Sequence, residues 1–522
     1  MSVAFLRLQS LAPALVRLCR PTSGSPTGDA EPSGSPTPSR TTRKKIGGPM
    51  TASVTLTMVD GVRVVVPDSL DLITPYVLLE QQDWFEDEIK FLRRLLQPGQ
   101  AVIDIGANYG VYSLSMARAV GPTGRVWAFE PASETAKLLA EAIASNGFSQ
   151  VILERSALSK CCGTAQLSLN EHSELNALQH GEAGAGAVET VPVVTLDEWR
   201  KDHPDREIDF VKIDAEGEEA NILEGGQRFL AELSPLVQYE IKAGADLHLE
   251  LVHHFGALGY SSYRLVPGLD VLVPFDAESA ADGYLLNLFC CKPDRAKRLA
   301  AQGYLVDRVA EGNGMAEEDS AGALPERADR RQYDWRQTLA RLPYGQELAD
   351  LWEQTIETGG TADVEEALSL YAISRDSSRP SAERFASLEA GLDRLTKLCQ
   401  TQPSHLRLAS LARAARDFGA RSLAVTALQQ LANTLLQSGQ IDAGEPFLAP
   451  CERFDTVPPG DAIGNWILAA ILEEAERLGA YSSFYTGASA QPRLAMIATL
   501  GFGSSEMERR QRLVQARFGP MA

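Results

Sequence analysis

The sequence predicts a doubly wound, Rossmann-like α/β sheet followed by an all-α region, and three observations carry that prediction. At residues 101–115 an apolar, β-branched run passes straight into a glycine turn and then an apolar-periodic helix. Further buried-strand runs that end in an acid recur at residues 125–130, 208–217 and 234–242. Beyond about residue 335 such runs give way to segments with an apolar residue at every third or fourth position.

The first of these stretches, AVIDIGANYGVYSLS, reads as a buried strand through Val102, Ile103 and Ile105 and then as the first βα turn, where open α/β sheets hold cofactors. Gly106 and Gly110 supply the turn, while Asn108 stands where a dinucleotide fingerprint has its second glycine for close approach to a pyrophosphate. Asp104 would repel a pyrophosphate and attract an ammonium or sulfonium ion. The expected cofactor is therefore S-adenosylmethionine (SAM) rather than NAD. Taken alone, a glycine pair after a strand is equally a tight strand-to-helix turn. The second strand, RVWAFEP, ends in Glu130, at about the distance where a βαβ unit places a carboxylate on ribose hydroxyls. A third strand at 151–153 runs into Ser156 and Ala157, which this architecture sets beside the adenine.

The segments between are read from local signals. Residues 54–66 alternate as a hairpin turning at Asp60-Gly61, and residues 84–96 form an amphipathic helix. A helix over 133–145 stops at Asn146-Gly147, and Thr195 caps the one beginning at Leu196. Residues 163–195 read as an insertion of two strands around a flexible loop at 181–186. Its polar patch, His172, Ser173, Glu174 and Asn176, either faces substrate or is a set of solvated turn residues.

The second informative stretch is IDFVKIDAEG, residues 208–217. Asp214 ends a central strand on the edge where such sheets bind ligands, whereas Glu218 and Glu219 sit in the next helix's first turn and serve its dipole. SPLVQYEIK repeats the pattern with Glu240. Asp214, Glu216 and Glu240 are expected to converge near the transferred methyl group, with Lys212 and Lys242 moderating their charge. Crowding would raise at least one carboxylate pKa toward the working pH and so provide a general base. A metal-independent base is expected; Mg²⁺ held by the three carboxylates is the alternative.

Composition bounds the rest. A chain of 522 residues should hold two or three domains, and 44% hydrophobic residues suffice for ordinary cores. A formal charge of −20 disfavours nucleic acid and anionic lipid as partners, and no apolar run approaches bilayer length. Seven cysteines without a CxxC pair read as reduced thiols of a cytoplasmic protein. Adjacent His253 and His254 point to different sides of a helix and do not make a metal site.

The motifs VIDIGANYGVYS, VWAFEP, VPVVTLDEW and, most specifically, FVKIDAEGEEANILEGG resemble the FkbM family of class I SAM-dependent methyltransferases. The resemblance covers about residues 102–241 and extends to the strand YLLNLFCCK at 284–292. It implies a seven-stranded sheet with a reversed last hairpin, and methyl transfer, typically to a hydroxyl oxygen of a sugar or other secondary metabolite. It carries Asp104, Gly106, Asn108, Gly110 and Glu130 over as cofactor residues, and Asp214, Glu216 and Gly217 as the family's acidic motif. Acceptor-side residues match less well. Methylation of a flipped base is disfavoured, since the strand ends in DAEG rather than a proline-aromatic clamp.

The expected organisation is a disordered extension at 1–49, a catalytic domain at 50–295, a linker at 296–334 that is most exposed over 312–331, and a helical accessory domain at 335–522. The extension is a targeting peptide, a membrane-surface helix, or a stretch of no structural consequence before Met50. The helical region loosely resembles tetratricopeptide hairpins, but Gly419 and Gly439 lie too close for the usual repeat of about 34 residues. It binds a protein partner, self-associates, roofs the acceptor pocket, or only adds stability. The rival reading of the whole chain is a helical scaffold with a weak or inactive methyltransferase domain.

Overall fold

The computed structural model describes residues 5–7, 52–170, 172–179, 187–204, 206–243, 246–306, 334–357, 361–401 and 405–520. The loop at 181–186, the exposed linker at 312–331 and, apart from residues 5–7, the extension at 1–49 lie outside the described residues.

Strands of the central sheet are numbered here in chain order: β1 Ala101–Ile105, β2 Arg125–Phe129, β3 Val151–Glu154, β4 Phe210–Ile213, β5 Leu236–Glu240, β6 Ser261–Val266, β7 Val271–Pro274 and β8 Asn287–Cys291. Their spatial order is β7-β6-β8-β5-β4-β1-β2-β3. Neighbours from β3 to β5 are parallel, and β8 pairs antiparallel with both β5 and β6. The central strands bury both faces under helices. Val102, Val126 and Phe210 enter one core, while Ile103, Trp127 and Val211, one residue on, enter the other.

The sheet has eight strands where the resemblance implied seven. The additional strand, β7, pairs with β6, and its alternation explains why it persists at an edge. Leu272 faces the sheet's own core, whereas Val271 and Val273 join Trp335, Leu368 and Leu408 in the core of the helical region. An edge strand that would otherwise expose two valines is covered by the second region.

The chain after β8 is also more ordered than a linker over 296–334 implies. Pro293–Ala301 is a helix whose Ala296 and Leu299 are buried, and Leu305 bridges to Leu272. Proline in its first turn and apolar residues three apart make it an amphipathic helix that needs a sheet to lie on.

Beyond it, the helices Ala362–Arg375, Ser381–Thr401, His405–Phe418, Arg421–Ser438 and Ile463–Gly479 stack as irregular hairpins. Among its described residues this region contains one short strand, Gln440–Asp442, which pairs antiparallel with Phe5–Arg7 of the N-terminal extension. The two regions are joined at several places. Near β6, the Gly268 amide donates to the Asp417 carbonyl at 2.8 Å, and Arg264 lies 4.4 Å over the Phe418 ring. Near the helix Ile73–Gln81, the Ser483 amide donates to buried Glu80 at 3.0 Å, and Arg510 reaches Glu80 at 3.4 Å. Among the described residues no helix is long and apolar enough to cross a membrane, and the six described cysteines are free thiols.

Candidate active site

The turn after β1 is shaped by backbone close approach. Gly106 has φ +81, and a Cβ there would lie 1.8 Å from the Asp214 carbonyl oxygen, so only glycine lets the turns after β1 and β4 touch. Asn108 adopts φ 48, a left-handed conformation that asparagine tolerates. Gly110, φ +86, caps the helix Val111–Val120, and a Cβ there would strike Leu139 at 2.3 Å. Glu130 closes this loop. One carboxylate oxygen accepts the Asn108 amide and the other the Ala132 amide, each at 2.8 Å. Burial lifts its pKa to about 7 against the pull of those two donors.

Asp104 is fully buried. One oxygen accepts the Ser113 hydroxyl; the other has no hydrogen-bond partner. Burial raises its pKa, and the neighbouring Lys212 ammonium opposes the rise. Asp104 and Lys212 are register partners on β1 and β4, and Gln238 on β5 pairs with Lys212 in turn, so a polar row crosses the middle of an apolar sheet.

The turn after β4 is organised by charge. Lys212 donates to Asp214 at 2.6 Å and lies 4.7 Å over the Tyr112 ring. Burial disfavours its ammonium, but the carboxylates of Asp214, Asp104 and Glu86 outweigh that and raise its pKa. Glu216 and Gly217 both have positive φ, 49 and 93, which turns the chain sharply before the helix Glu219–Gly225. Glu218 and Glu219 are spent on structure, accepting the Ser159 hydroxyl at 2.7 Å and the Ala215 amide at 2.9 Å. Asp214, Glu216 and Glu240 each bring a carboxylate oxygen within 4.8 Å of the others. Burial and the Asp214 charge push Glu216 up to about 8 and Glu240 up to about 10. Lys242, expected to moderate this cluster, instead donates to the Gly283 carbonyl at 2.6 Å. It follows a strand end, and its chain leads the ammonium to an unfilled carbonyl of the facing loop.

Both turns open into one cavity of about 510 Å³, whose lining includes Asp104, Asn108, Glu130, Ser156, Ala157, Lys212, Asp214, Glu216 and Glu240. Residues 104–262 match the family model described as the methyltransferase FkbM domain. This chain carries an FkbM methyltransferase domain. No curated protein matches the chain. Among solved structures it is similar to methyltransferase FkbM from Methylobacillus flagellatus KT, with 16% identity, TM-score 0.26, and 37% of this chain and 43% of that chain covered. It is similar as well to a SAM-dependent O-methyltransferase from Thermotoga maritima, with 16% identity, TM-score 0.23, and 46% and 77% covered. An rRNA methylase from Streptococcus thermophilus matches at 11% identity, TM-score 0.23, with 39% and 93% covered.

Part of the cavity wall comes from outside the FkbM domain, and sequence reading missed it. Glu86 accepts the Tyr112 hydroxyl at 2.5 Å, the Trp84 indole at 2.9 Å and the Asn287 amide at 3.2 Å, while burial raises its pKa. Tyr481 and Tyr485 reach the cavity from the helical region. Within the domain, the insertion's polar patch folds over the glycine loop. Ser173 donates to the Asn108 side chain at 3.0 Å, Glu174 binds Thr74, and His172 packs edge-on against Phe484 at 5.8 Å. His172, Ser173 and Glu174 belong to a polar patch that the sequence marks as one that either faces substrate or is solvated, whereas Glu86, Tyr481 and Tyr485 carry no such signal.

Proposed function

We propose that this protein is a SAM-dependent methyltransferase whose acceptor is a hydroxyl oxygen of a sugar, glycan or other secondary metabolite. What supports the reading most is that Glu130 and the Asp214–Glu216–Glu240 cluster line one and the same cavity. When bound, SAM supplies a methyl group on a positively charged sulfur. The chain's residues fit such a group. Asp104 offers a buried carboxylate oxygen with no partner, suited to a cation. Each Glu130 oxygen holds one amide and keeps a second lone pair for a ribose hydroxyl. Ser156, Ala157, Leu158 and Leu167 line the same end and suit a flat base.

On the other side the task is to hold the acceptor oxygen in line with the methyl and to remove its proton. Glu216, with a pKa of about 8, is matched to taking that proton near neutral pH. Glu240, at about 10, keeps its proton and donates a hydrogen bond to the acceptor. Lys212 fixes the position of Asp214, so that one anionic carboxylate is held at a set place beside two that titrate late. Three such carboxylates also match a divalent cation's spacing. Here Lys212 already supplies positive charge to Asp214, and Glu240 keeps its proton, so the reaction is read as metal-independent.

The test is to incubate the protein with methyl-labelled SAM and cell extract and follow label into product. Wild type is expected to transfer label with or without EDTA. Asp214→Asn should lower turnover by roughly 100-fold or more while leaving SAM affinity within about twofold. Unchanged turnover in Asp214→Asn removes that residue from the mechanism, and activity lost to EDTA and restored by Mg²⁺ replaces the carboxylate base with a metal.

A further inference from the structure

A second cavity, of about 640 Å³, lies between the catalytic and helical regions. It abuts the first, for Trp84, Phe85, Glu86, Leu286 and Tyr481 line both. An acceptor longer than its reacting hydroxyl group would extend into this space.

The helical region sets five arginines on its wall: Arg416, Arg421, Arg453, Arg477 and Arg510. Four have carboxylate partners. Arg416 lies 3.0 Å from Asp417, Arg453 2.9 Å from Glu473, Arg477 2.9 Å from Glu506, and Arg510 3.0 Å from Glu506. Arg421 differs. Its guanidinium packs on the rings of Tyr481 and Tyr284, at 4.3 and 4.8 Å from their centres. Its Nε and Nη2 donate to the carbonyls of Leu478 and Arg477 at 2.9 and 3.2 Å. Among the described residues no carboxylate stands within ion-pair distance of it, and burial lowers its pKa.

Most acids on the same wall have nearer cations than Arg421. Asp83 is held by Arg93 at 2.7 Å, Asp87 by Lys90 at 2.8 Å, Glu452 by Arg375 at 3.3 Å and Glu474 by Arg416 at 3.6 Å. Burial and the neighbouring Glu86 push Glu88 up to about 8, so it is mostly neutral at pH 7. Arginine itself stays charged under all these conditions. Arg421 is therefore the arginine of this wall without an ion-pair partner: Asp87 and Asp282 act on its charge from longer range, and its planar group is held by two carbonyls and packs on two rings.

We propose that this chamber is the far half of the acceptor site, and that Arg421 receives an oxyanion of the acceptor, a carboxylate or a phosphate ester, remote from the hydroxyl that is methylated. The proposal rests on the methyltransferase reading above. A charge-assisted bond to a pre-oriented guanidinium is strong and directional, so it fixes the acceptor's register relative to Glu216 and Glu240. The plainer role for Arg421, capping the end of the helix Ile463–Gly479 through those two carbonyls, predicts no response to anions.

Thermal unfolding of the full chain, at matched ionic strength with glucuronate, glucose 6-phosphate or uncharged glucose, separates the two. At least one of the acids is expected to raise Tm by about 2 °C or more beyond glucose. The shift should vanish in Arg421→Gln and shrink in Arg421→Lys, which keeps the charge but loses the planar fork. Which acid protects distinguishes a carboxylate from a phosphate. Neither acid exceeding glucose in wild type, or an equal shift in Arg421→Gln, overturns the proposal; should Arg421→Gln fail to fold, an equal shift in Arg421→Lys overturns it instead. SAM titration of the same preparations keeps the two readings apart. Wild type that binds SAM but ignores both acids loses only the chamber, whereas wild type that does not bind SAM loses the methyltransferase reading.

Discussion

The turns after β1 and β4 are neighbours on one sheet edge and are built on opposite principles. The first is a backbone device. Its glycines allow contacts no side chain would survive, and its acid, Glu130, is tied down by two amides. The second is a charge device. Its glycine, Gly217, has open space around it, and its acids are held together against their mutual repulsion by one buried lysine. A cofactor of fixed shape suits a rigid cradle, while an acceptor that must lose a proton needs carboxylates that titrate near neutrality. Under the proposed function, the contrast divides the labour of the site between the two turns.

Exchanging glycine for alanine at each turn tests that division most severely. Gly106→Ala puts a methyl group 1.8 Å from a backbone carbonyl at φ +81, so both strain and overlap apply. It should cost at least about 3 kcal/mol of stability and remove SAM binding, as read by thermal unfolding and calorimetric titration. A fully stable Gly106→Ala protein that binds SAM normally would show that the first turn is not the tight cradle described.

A smaller effect sharpens the charge half. If Glu216 takes the proton, it does so only once ionised, so kcat/KM should rise with pH through the region of its pKa of about 8 and level off above it. Because Glu216 is coupled to Asp214 and Glu240, the measured midpoint belongs to the cluster. Glu216→Gln should lower the rate and flatten that limb; a limb that survives the substitution assigns the proton to another group.

The smallest effect is expected at Gly217, φ +93, where a Cβ meets nothing within 4 Å. Gly217→Ala carries only backbone strain, about 1 kcal/mol, and should leave SAM affinity unchanged. A loss as large as at Gly106 would erase the distinction between the turns.

How much of this was legible in the sequence follows from the range of the signals. Strand runs, turn glycines and the acids at strand ends are local patterns, and with them residues 101–115, 125–130 and 208–240 announced both turns and the convergence of Asp214, Glu216 and Glu240. Glu86, Thr74, Tyr481 and Tyr485 carry no such mark. Each is an ordinary residue until a distant element folds beside it, and Tyr481 meets the cavity from the far end of the chain. The eighth strand was hidden for the same reason, since Val271 and Val273 need the helical region before an edge strand there is favourable. Lys212 lies inside β4, two residues before Asp214, and turns to the acids; Lys242 lies beyond the end of β5, two residues after Glu240, and donates to the Gly283 carbonyl.

The most direct measurement is calorimetric titration of SAM into the full chain and into Glu130→Ala, with NAD as a control. The account predicts that wild type binds SAM and not NAD, and that Glu130→Ala weakens SAM by about tenfold or more through loss of the ribose contact and of two loop amides' partner. Equal affinity in the two proteins, or NAD bound in place of SAM, would contradict it.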